Sequence, residues 1–230
     1  MSRLPANALE LNRTFLHAPD TAAGPDAEAS LRAALLLNRA EDWEALLKHP
    51  YVVVLGEAGT GKSTEFLLRA QSLAEQGRSS FFVEISELAA SGLDLSLDVD
   101  DEARLERWRE GQDAAVFFLD SLDEAKLQNR TLQQALRRLR RDLRDQWARV
   151  RLVVSCRASD WMAEADRNEL RSVAPAGVSE VRVVQLAPLN TEQVEQLAQA
   201  AGVTNVADFM TAVADNHAQV FIERPLDVQW

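Results

Sequence analysis

A glycine-rich loop directly after a valine-rich apolar run constrains this chain most. Residues 56–63 read Gly-Glu-Ala-Gly-Thr-Gly-Lys-Ser and follow the run Tyr51–Leu55. This spacing matches G-x-x-x-x-G-K-[ST], a pattern that holds phosphate groups when it joins a buried strand to a helix. Glycines let the backbone curl so that N–H groups converge on an anion, and a helix predicted over 62–76 directs its positive end there. The loop therefore predicts an α/β fold with a phosphate site at a strand end.

The residues of this loop have separate predicted tasks. Lys62 can reach the β- and γ-phosphates of a nucleotide, and the Ser63 hydroxyl can ligate Mg²⁺. The predicted phosphate-binding set is Gly56, Glu57, Ala58, Gly59, Thr60, Gly61, Lys62, Ser63 and Thr64.

Charge and composition exclude several function classes. The 230 residues include 25 basic and 36 acidic ones, so the formal net charge of −11 argues against a surface that coats nucleic acid, though not against a local basic patch. The single cysteine, Cys156, cannot form an intramolecular disulfide and is predicted to be a small core residue. The sequence shows neither a signal peptide nor an apolar run near the roughly 20 residues of a membrane span, so we expect a cytoplasmic protein without membrane contact.

Strands and helices alternate along most of the chain, which predicts a parallel sheet flanked by helices. The five predicted strands are 51–55, 80–85, 114–119, 151–155 and 181–186. The leucines at 132, 136, 139 and 143 have helical spacing. After residue 186 the pattern becomes helical. We expect an N-terminal extension or linker over 1–40, with a loop at 18–26 and a helix from about Ser30, a phosphate-loop core over 41–187, and a helical lid subdomain from 188 that is truncated at 230.

An acidic motif ends the third predicted strand, where residues 120–124 read Asp-Ser-Leu-Asp-Glu. A buried carboxylate there needs a cation or hydrogen-bond donors, and Asp120 is the predicted ligand of the Mg²⁺ that Ser63 also holds. Glu124 is predicted to orient or deprotonate the attacking water. Asp123 is expected to assist the metal or the water, or alternatively to be a carboxylate at the start of a helix.

This acidic motif resembles the Walker B motif of NACHT-type NTPases of the STAND class, and the loop is similar to their phosphate loop. The resemblance covers about 41–230 and implies the sheet order 5-1-4-3-2, ATP rather than GTP as ligand, slow hydrolysis, and a nucleotide-controlled switch that self-associates within a larger signalling protein. Bacterial relatives of this kind act in defence against phage. The resemblance also implies that Arg157 senses the γ-phosphate, although Cys156 departs from the family's small hydroxyl. The alternative for Arg157 is a surface ion pair.

The resemblance gives Pro225 a role as well, in contact with the adenine, whereas the alternative is a proline that starts a helix. A different hypothesis for the whole chain is an AAA-like motor or loader that acts on nucleic acid, and a third is a nucleotide-binding interaction module without turnover.

A basic run lies at 137, 138, 140, 141 and 144. We interpret it as a solvated helix face paired with Asp142 and Asp145, with an oligomer contact or a trans-acting arginine as alternatives. The acidic stretch over 94–102 is predicted to be a solvated loop.

Overall fold

Seven strands form one sheet in the computed structural model, which describes residues 8–18, 40–127, 132–175 and 180–228. The strands are β1 (Phe15–His17), β2 (Ala40–Glu41), β3 (Tyr51–Leu55), β4 (Ser79–Glu84), β5 (Ala115–Asp120), β6 (Val150–Cys156) and β7 (Arg182–Leu186). Their order is β2-β1-β7-β3-β6-β5-β4. The five predicted strands correspond to β3 to β7, pair in parallel, and have the expected order. The predicted α/β fold is therefore confirmed.

The N-terminal part of the chain contributes to this sheet, which the sequence analysis did not expect. β1 pairs antiparallel with β7 on one side and with β2 on the other. Phe15 and Leu16 are fully buried. A three-residue strand shows too little periodicity to be recognised from the sequence, so β1 was not among the predicted strands of the region 1–40. Most of the predicted loop over 18–26 and the start of the helix predicted from Ser30 lie outside the described residues.

Alternate residues of the central strands face two helical layers, as the period of two requires. The helices are α1 (Trp43–Leu46), α2 (Lys62–Glu75), α3 (Ile85–Ser91), α4 (Val99–Glu110), α5 (Leu122–Leu127), α6 (Leu132–Asp142), α7 (Ala163–Val173), α8 (Thr191–Ala200), α9 (Val206–Asp215) and α10 (Pro225–Val228). Val52 and Val54 of β3 pack in the core with α1 and α2. Val53 and Leu55 face the larger core formed with α3 to α7. Strands buried on both faces explain why their sequences are apolar throughout.

The connection between β4 and β5 contains more regular structure than predicted. The acidic residues from 98 onward lie at the start of α4 and not in a loop, because Asp98 caps that helix by accepting a hydrogen bond from the Asp101 N–H at 2.9 Å. Leu105 and Trp108, three residues apart, anchor the helix to the core. The leucine stripe predicted for α6 is confirmed, since all four leucines are buried.

The C-terminal helices form a separate small apolar cluster. The side chains of Asn190 and Gln193 make the reciprocal hydrogen bonds of a capping box at the start of α8. Gln193 also donates to the Leu11 carbonyl at 2.7 Å, which joins α8 to the N-terminal segment. No helix among the described residues has both the length and the apolar character that a membrane crossing requires.

Candidate functional site

The glycine-rich loop lies between β3 and α2, at the carboxyl end of the sheet. Gly59 and Gly61 have φ angles of +79° and +88°, in the left-handed region that favours glycine, and Gly61 caps α2. The Lys62 Nζ donates to the carbonyls of Gly56 and Glu57 at 2.5 and 3.1 Å. The loop is therefore preformed, with its lysine folded back over it.

Two carboxylates from the predicted acidic motif lie close enough to Lys62 to influence its charge. Burial lowers the pKa of Lys62, and the negative charges of Asp123 and Asp120 oppose this shift. β5 carries Asp120 at its last position, and Asp123 lies in the first turn of α5. The structure thus brings together Lys62, Asp120 and Asp123.

The carboxylate of Asp120 is oriented by two hydroxyl groups. Ser155 Oγ donates to Asp120 Oδ1 at 2.5 Å, and Ser121 Oγ donates to Oδ2 at 3.0 Å. Ser121 has a φ of +62°, and its N–H donates to Ser155 Oγ at 2.8 Å. Ser155 therefore holds both the carboxylate and the strained turn after β5. Sequence reasoning gave Ser155 little weight, because Cys156 beside it departs from the small hydroxyl that the resemblance implies.

Asp123 and Arg157 form an ion pair within the site. Arg157 Nε lies 2.8 Å from Asp123 Oδ2, and the Arg157 N–H donates to Oδ1 at 3.2 Å. Asp123 is buried, whereas Arg157 is partly exposed. The structure shows the ion pair that was the alternative for Arg157, with a buried partner that neighbours Lys62. Glu124, one residue further, is exposed.

The C-terminal helix α10 lies directly against the loop. A side chain built on Gly61 would place its Cβ 3.1 Å from Pro225 Cγ, and one on Gly59 would lie 2.9 Å from Leu226 Cδ2. Leu226 also donates its N–H to the Gly59 carbonyl at 3.4 Å. Pro225 is the first residue of α10, so it both starts a helix and faces the site.

A cleft of about 190 Å³ opens between this helix, the loop and the N-terminal segment. Most of its walls are apolar, and Thr64 and Glu65 of α2 line one side. The lining side chains and backbone come from Ala8, Leu9, Leu11, Arg13, Gly59, Gly61, Thr64, Glu65, Leu68, Leu197, Pro225 and Leu226. An apolar cleft of this kind beside a glycine-rich loop suits a flat heterocycle whose anionic substituents extend toward the loop.

Arg13 is a candidate site residue that the sequence did not reveal. Its guanidinium is 3% exposed and donates to the carbonyls of Thr60 and Ala187 at 3.2 and 2.5 Å. Its Nε has no hydrogen-bond partner among the described residues. Burial lowers the pKa of Arg13, and the charge of Glu65 opposes that shift. Arg13 therefore fixes the loop to the end of β7 while lining the cleft.

Glu65 completes a buried polar cluster beneath the loop. Its carboxylate accepts a hydrogen bond from Trp43 Nε1 at 2.6 Å. Burial raises the pKa of Glu65, while the Trp43 hydrogen bond and the charges of Arg13 and Arg69 lower it. Trp43 contacts Phe15, Phe66 and Phe118 edge to face, so the cluster is anchored in the core.

The donor set fits a divalent cation that a phosphate chain helps to hold. Asp120 has further lone pairs beyond the two hydroxyl bonds, and Ser63 is exposed in the first turn of α2. Within the described ranges, no three His, Cys, Asp or Glu side chains are grouped as a metal site. Mg²⁺ suits such a place because it commonly takes one or two protein oxygens and completes its shell with phosphate and water.

Comparisons with known proteins found similar solved structures but no relative by sequence. No protein-family model matches the chain, and no curated protein matches it in sequence. The ADP form of the ORC2 protein of Aeropyrum pernix is 17% identical, with 99% of this chain aligned to 62% of that one at a TM-score of 0.44.

Two further solved structures show a similar level of likeness. Domain III of the Thermotoga maritima replication initiation protein DnaA is 15% identical, over 96% of this chain and 81% of that one, with a TM-score of 0.39. The AAA domain of FIGL-1 with ADP is also 15% identical, over 91% and 69%, with a TM-score of 0.43. This chain spans less than two thirds of the Aeropyrum pernix protein.

Proposed function

We propose that this chain is a P-loop ATPase module that acts as a NACHT-like STAND switch within a larger signalling protein. One observation carries the proposal: the preformed loop holds Lys62 beside the carboxylates of Asp120 and Asp123, at the carboxyl ends of parallel strands. Ligands of open α/β sheets bind at such ends. Backbone N–H groups of the loop and the ammonium of Lys62 would hold the β- and γ-phosphates.

The cleft beside Thr64 is the proposed site of the nucleobase. The ring of Pro225 has no N–H to desolvate, so it can pack on the face of a base, and Leu9 and Leu11 add further apolar lining to the cleft. The preference for adenine follows from the resemblance of the sequence and not from a recognised hydrogen-bond pattern.

Hydrolysis is assigned to Glu124, supported by the positions of its neighbours. Asp123 is engaged by Arg157 through both carboxylate oxygens, whereas the Glu124 carboxylate is exposed and can accept a proton from water. Asp123 then acts by holding Arg157, whose remaining guanidinium N–H groups can meet a γ-phosphate. Mg²⁺, held by Ser63 and Asp120, would offset the negative charge of the phosphates.

The contact between α10 and the loop suits a switch. Leu226 and Pro225 touch the two left-handed glycines, so a ligand that occupies the loop and the cleft changes the groups that α10 packs against. Slow turnover is expected from the resemblance, and it lets each nucleotide state persist. Output in anti-phage defence is part of the same proposal and rests on the resemblance alone.

Titration calorimetry and phosphate release test the proposal on the purified chain. Lys62→Ala should weaken ATP affinity by about 100-fold with the fold retained, because charge-assisted hydrogen bonds contribute about 1.5–3 kcal/mol each. Glu124→Gln should keep binding and lower hydrolysis by at least about 100-fold. Lys48→Ala, which removes an exposed lysine at the amino ends of the strands, is the matched control and should change neither quantity.

Unchanged affinity in Lys62→Ala would exclude the phosphate-loop assignment. Normal hydrolysis in Glu124→Gln would exclude Glu124 as the base. Salt-dependent DNA binding with stimulated hydrolysis would favour the AAA-like motor instead.

A further inference from the structure

Two exposed surfaces of opposite charge lie side by side on the helical layer formed by α3, α4 and α6. The arginine stripe comprises Arg137, Arg140, Arg141 and Arg144, all exposed. The acidic segment is residues 94–102, in which Asp94, Asp98, Asp100 and Glu102 are exposed. Neither surface takes part in the proposed nucleotide site.

The arginine stripe is poorly neutralised by its own chain. α6 buries its leucines and exposes Arg137, Arg140 and Arg141, and Arg144 follows, also exposed, in the turn after the helix. Arg141 has an ion pair with Asp142 at 3.3 Å. Arg140 and Arg144 are ion-paired to no residue that the structure describes.

Of the two expected partners of the stripe, Asp142 pairs with Arg141 alone among the residues that the structure describes. Asp142 accepts a hydrogen bond from the Leu93 N–H at 3.1 Å, which holds it against the neighbouring turn. Asp145 makes no ion pair with a described residue. The interpretation of this run as a helix face balanced by its own carboxylates therefore explains only Arg141.

The acidic segment exposes apolar side chains among its carboxylates. Leu95 and Val99 are 79% and 76% exposed, among the highest values for large apolar residues in the described chain. Asp94 is bound by Arg109 at 3.2 Å, whereas Asp100 and Glu102 have no ion-pair partner among the described residues. Leucine and valine at such exposure, in a segment where Asp100 and Glu102 lack an ion-pair partner among the described residues, indicate a surface that another molecule covers.

The stripe and the segment are physically joined. Arg138 of α6 donates to the carbonyls of Ala89 and Ala90 at 3.3 and 3.1 Å, at the end of α3. The chain then passes Leu93, which is bonded to Asp142, and enters the acidic segment. The positive and the negative surface are therefore neighbours on one face of the chain. When a second copy is related to the first by a twofold axis through this face, the arginine stripe of each copy meets the acidic segment of the other.

We propose that two copies of this chain associate symmetrically, with the arginine stripe of each against the acidic segment of the other and Leu95 and Val99 buried between them. Charge complementarity favours a second copy of this chain as the partner, because each copy carries both the positive and the negative surface that the contact requires. The association needs neither nucleotide nor hydrolysis, so it stands apart from the proposed ATPase function.

Sedimentation equilibrium of paired charge-reversal variants tests this arrangement. The wild-type chain of 25.5 kDa should reach twice that mass at up to about 100 µM, a concentration that populates complexes with Kd near 10 µM. Arg140→Glu/Arg141→Glu and Asp100→Lys/Glu102→Lys should each remain monomeric. Mixed in equal amounts, the two variants should recover the dimer, because each restores the charge that the other has lost. Leu95→Ser/Val99→Ser, which keeps the charge, should weaken association by at least about tenfold.

The control is Lys48→Glu/Arg78→Glu, the same charge reversal on residues that line a cavity behind α1 and α2. It should associate as the wild type does, and so should Lys62→Ala without nucleotide. A monomeric wild type over the whole concentration range, or dimers in both charge-reversed variants alone, would overturn the proposal. Circular dichroism and nucleotide binding of each variant confirm folding, and recovery in the mixture excludes misfolding as the cause of monomers.

Discussion

Replacing Arg13 by methionine should destabilise the chain strongly, because this arginine is the buried cation that joins three segments. Arg13→Met keeps most of the aliphatic bulk but removes the donors to Thr60 and Ala187 and the charge facing Glu65. Removing one partner of a buried charged pair costs about 3–5 kcal/mol. Arg69 remains near Glu65 as a second cation, so we expect a loss of about 3 kcal/mol in the free energy of unfolding.

The pH dependence of this loss identifies Glu65 as its origin. Burial raises the pKa of the Glu65 carboxyl above its ordinary value of 4.5. The protonated carboxyl therefore adds to the free energy of unfolding in full below pH 4.5, and this contribution is lost as the pH rises through the pKa of the folded state. Without Arg13 the pKa rises further, because a cation that lowered it is gone. The destabilisation by Arg13→Met should therefore be larger at neutral pH than near pH 4.5.

Urea unfolding followed by tryptophan fluorescence measures both quantities. Arg13→Met/Glu65→Gln carries no carboxylate at this position and should show a smaller loss without the pH dependence. Arg107→Met is the control, because Arg107 is exposed and its one hydrogen bond among the described residues goes to Ala103 of its own helix; it should change stability by less than about 0.5 kcal/mol. A loss below about 1 kcal/mol in Arg13→Met, or one equal at both pH values, would refute a favourable charge interaction between the buried side chains of Arg13 and Glu65.

Three other outcomes follow from the site geometry. Gly61→Ala should lower stability by more than Gly77→Ala: both have left-handed φ angles, costing about 1–2 kcal/mol, but only at Gly61 would the new Cβ meet Pro225, whereas Gly77 faces open space. Equal losses in thermal unfolding would show that α10 does not rest on the loop. Ser155→Ala should cost about 1–3 kcal/mol in urea unfolding, because the Ser121 N–H and the Asp120 carboxylate both lose a partner, and a neutral result would contradict that network. Leu226→Ala should weaken ATP binding in calorimetry more than phosphate binding, and an equal effect on both ligands would place Leu226 outside the base cleft.

Local sequence patterns were sufficient where a structure depends on near neighbours. The run 51–55 predicted β3 with the observed bounds, and the glycine loop predicted a strand, a turn and a helix in order. The leucine stripe of α6 was predicted in the same way, since it depends on residues within a few turns. The order of the parallel strands came from resemblance rather than from these patterns.

The amino-acid sequence alone determined the phosphate loop, the carboxylates after β5 and the alternation that makes a parallel sheet, because these are encoded over a few residues. Only the tertiary structure decided which distant residues complete the site. Arg13 reaches Thr60 across 47 positions and Ala187 across 174, and no periodicity links residues so far apart. The engagement of Asp123 by Arg157, like the packing of α10 on Gly59 and Gly61, also depends on chain segments that meet only once the sheet is assembled. Burial and charge pairing act through space, so they select partners that spacing along the chain does not show.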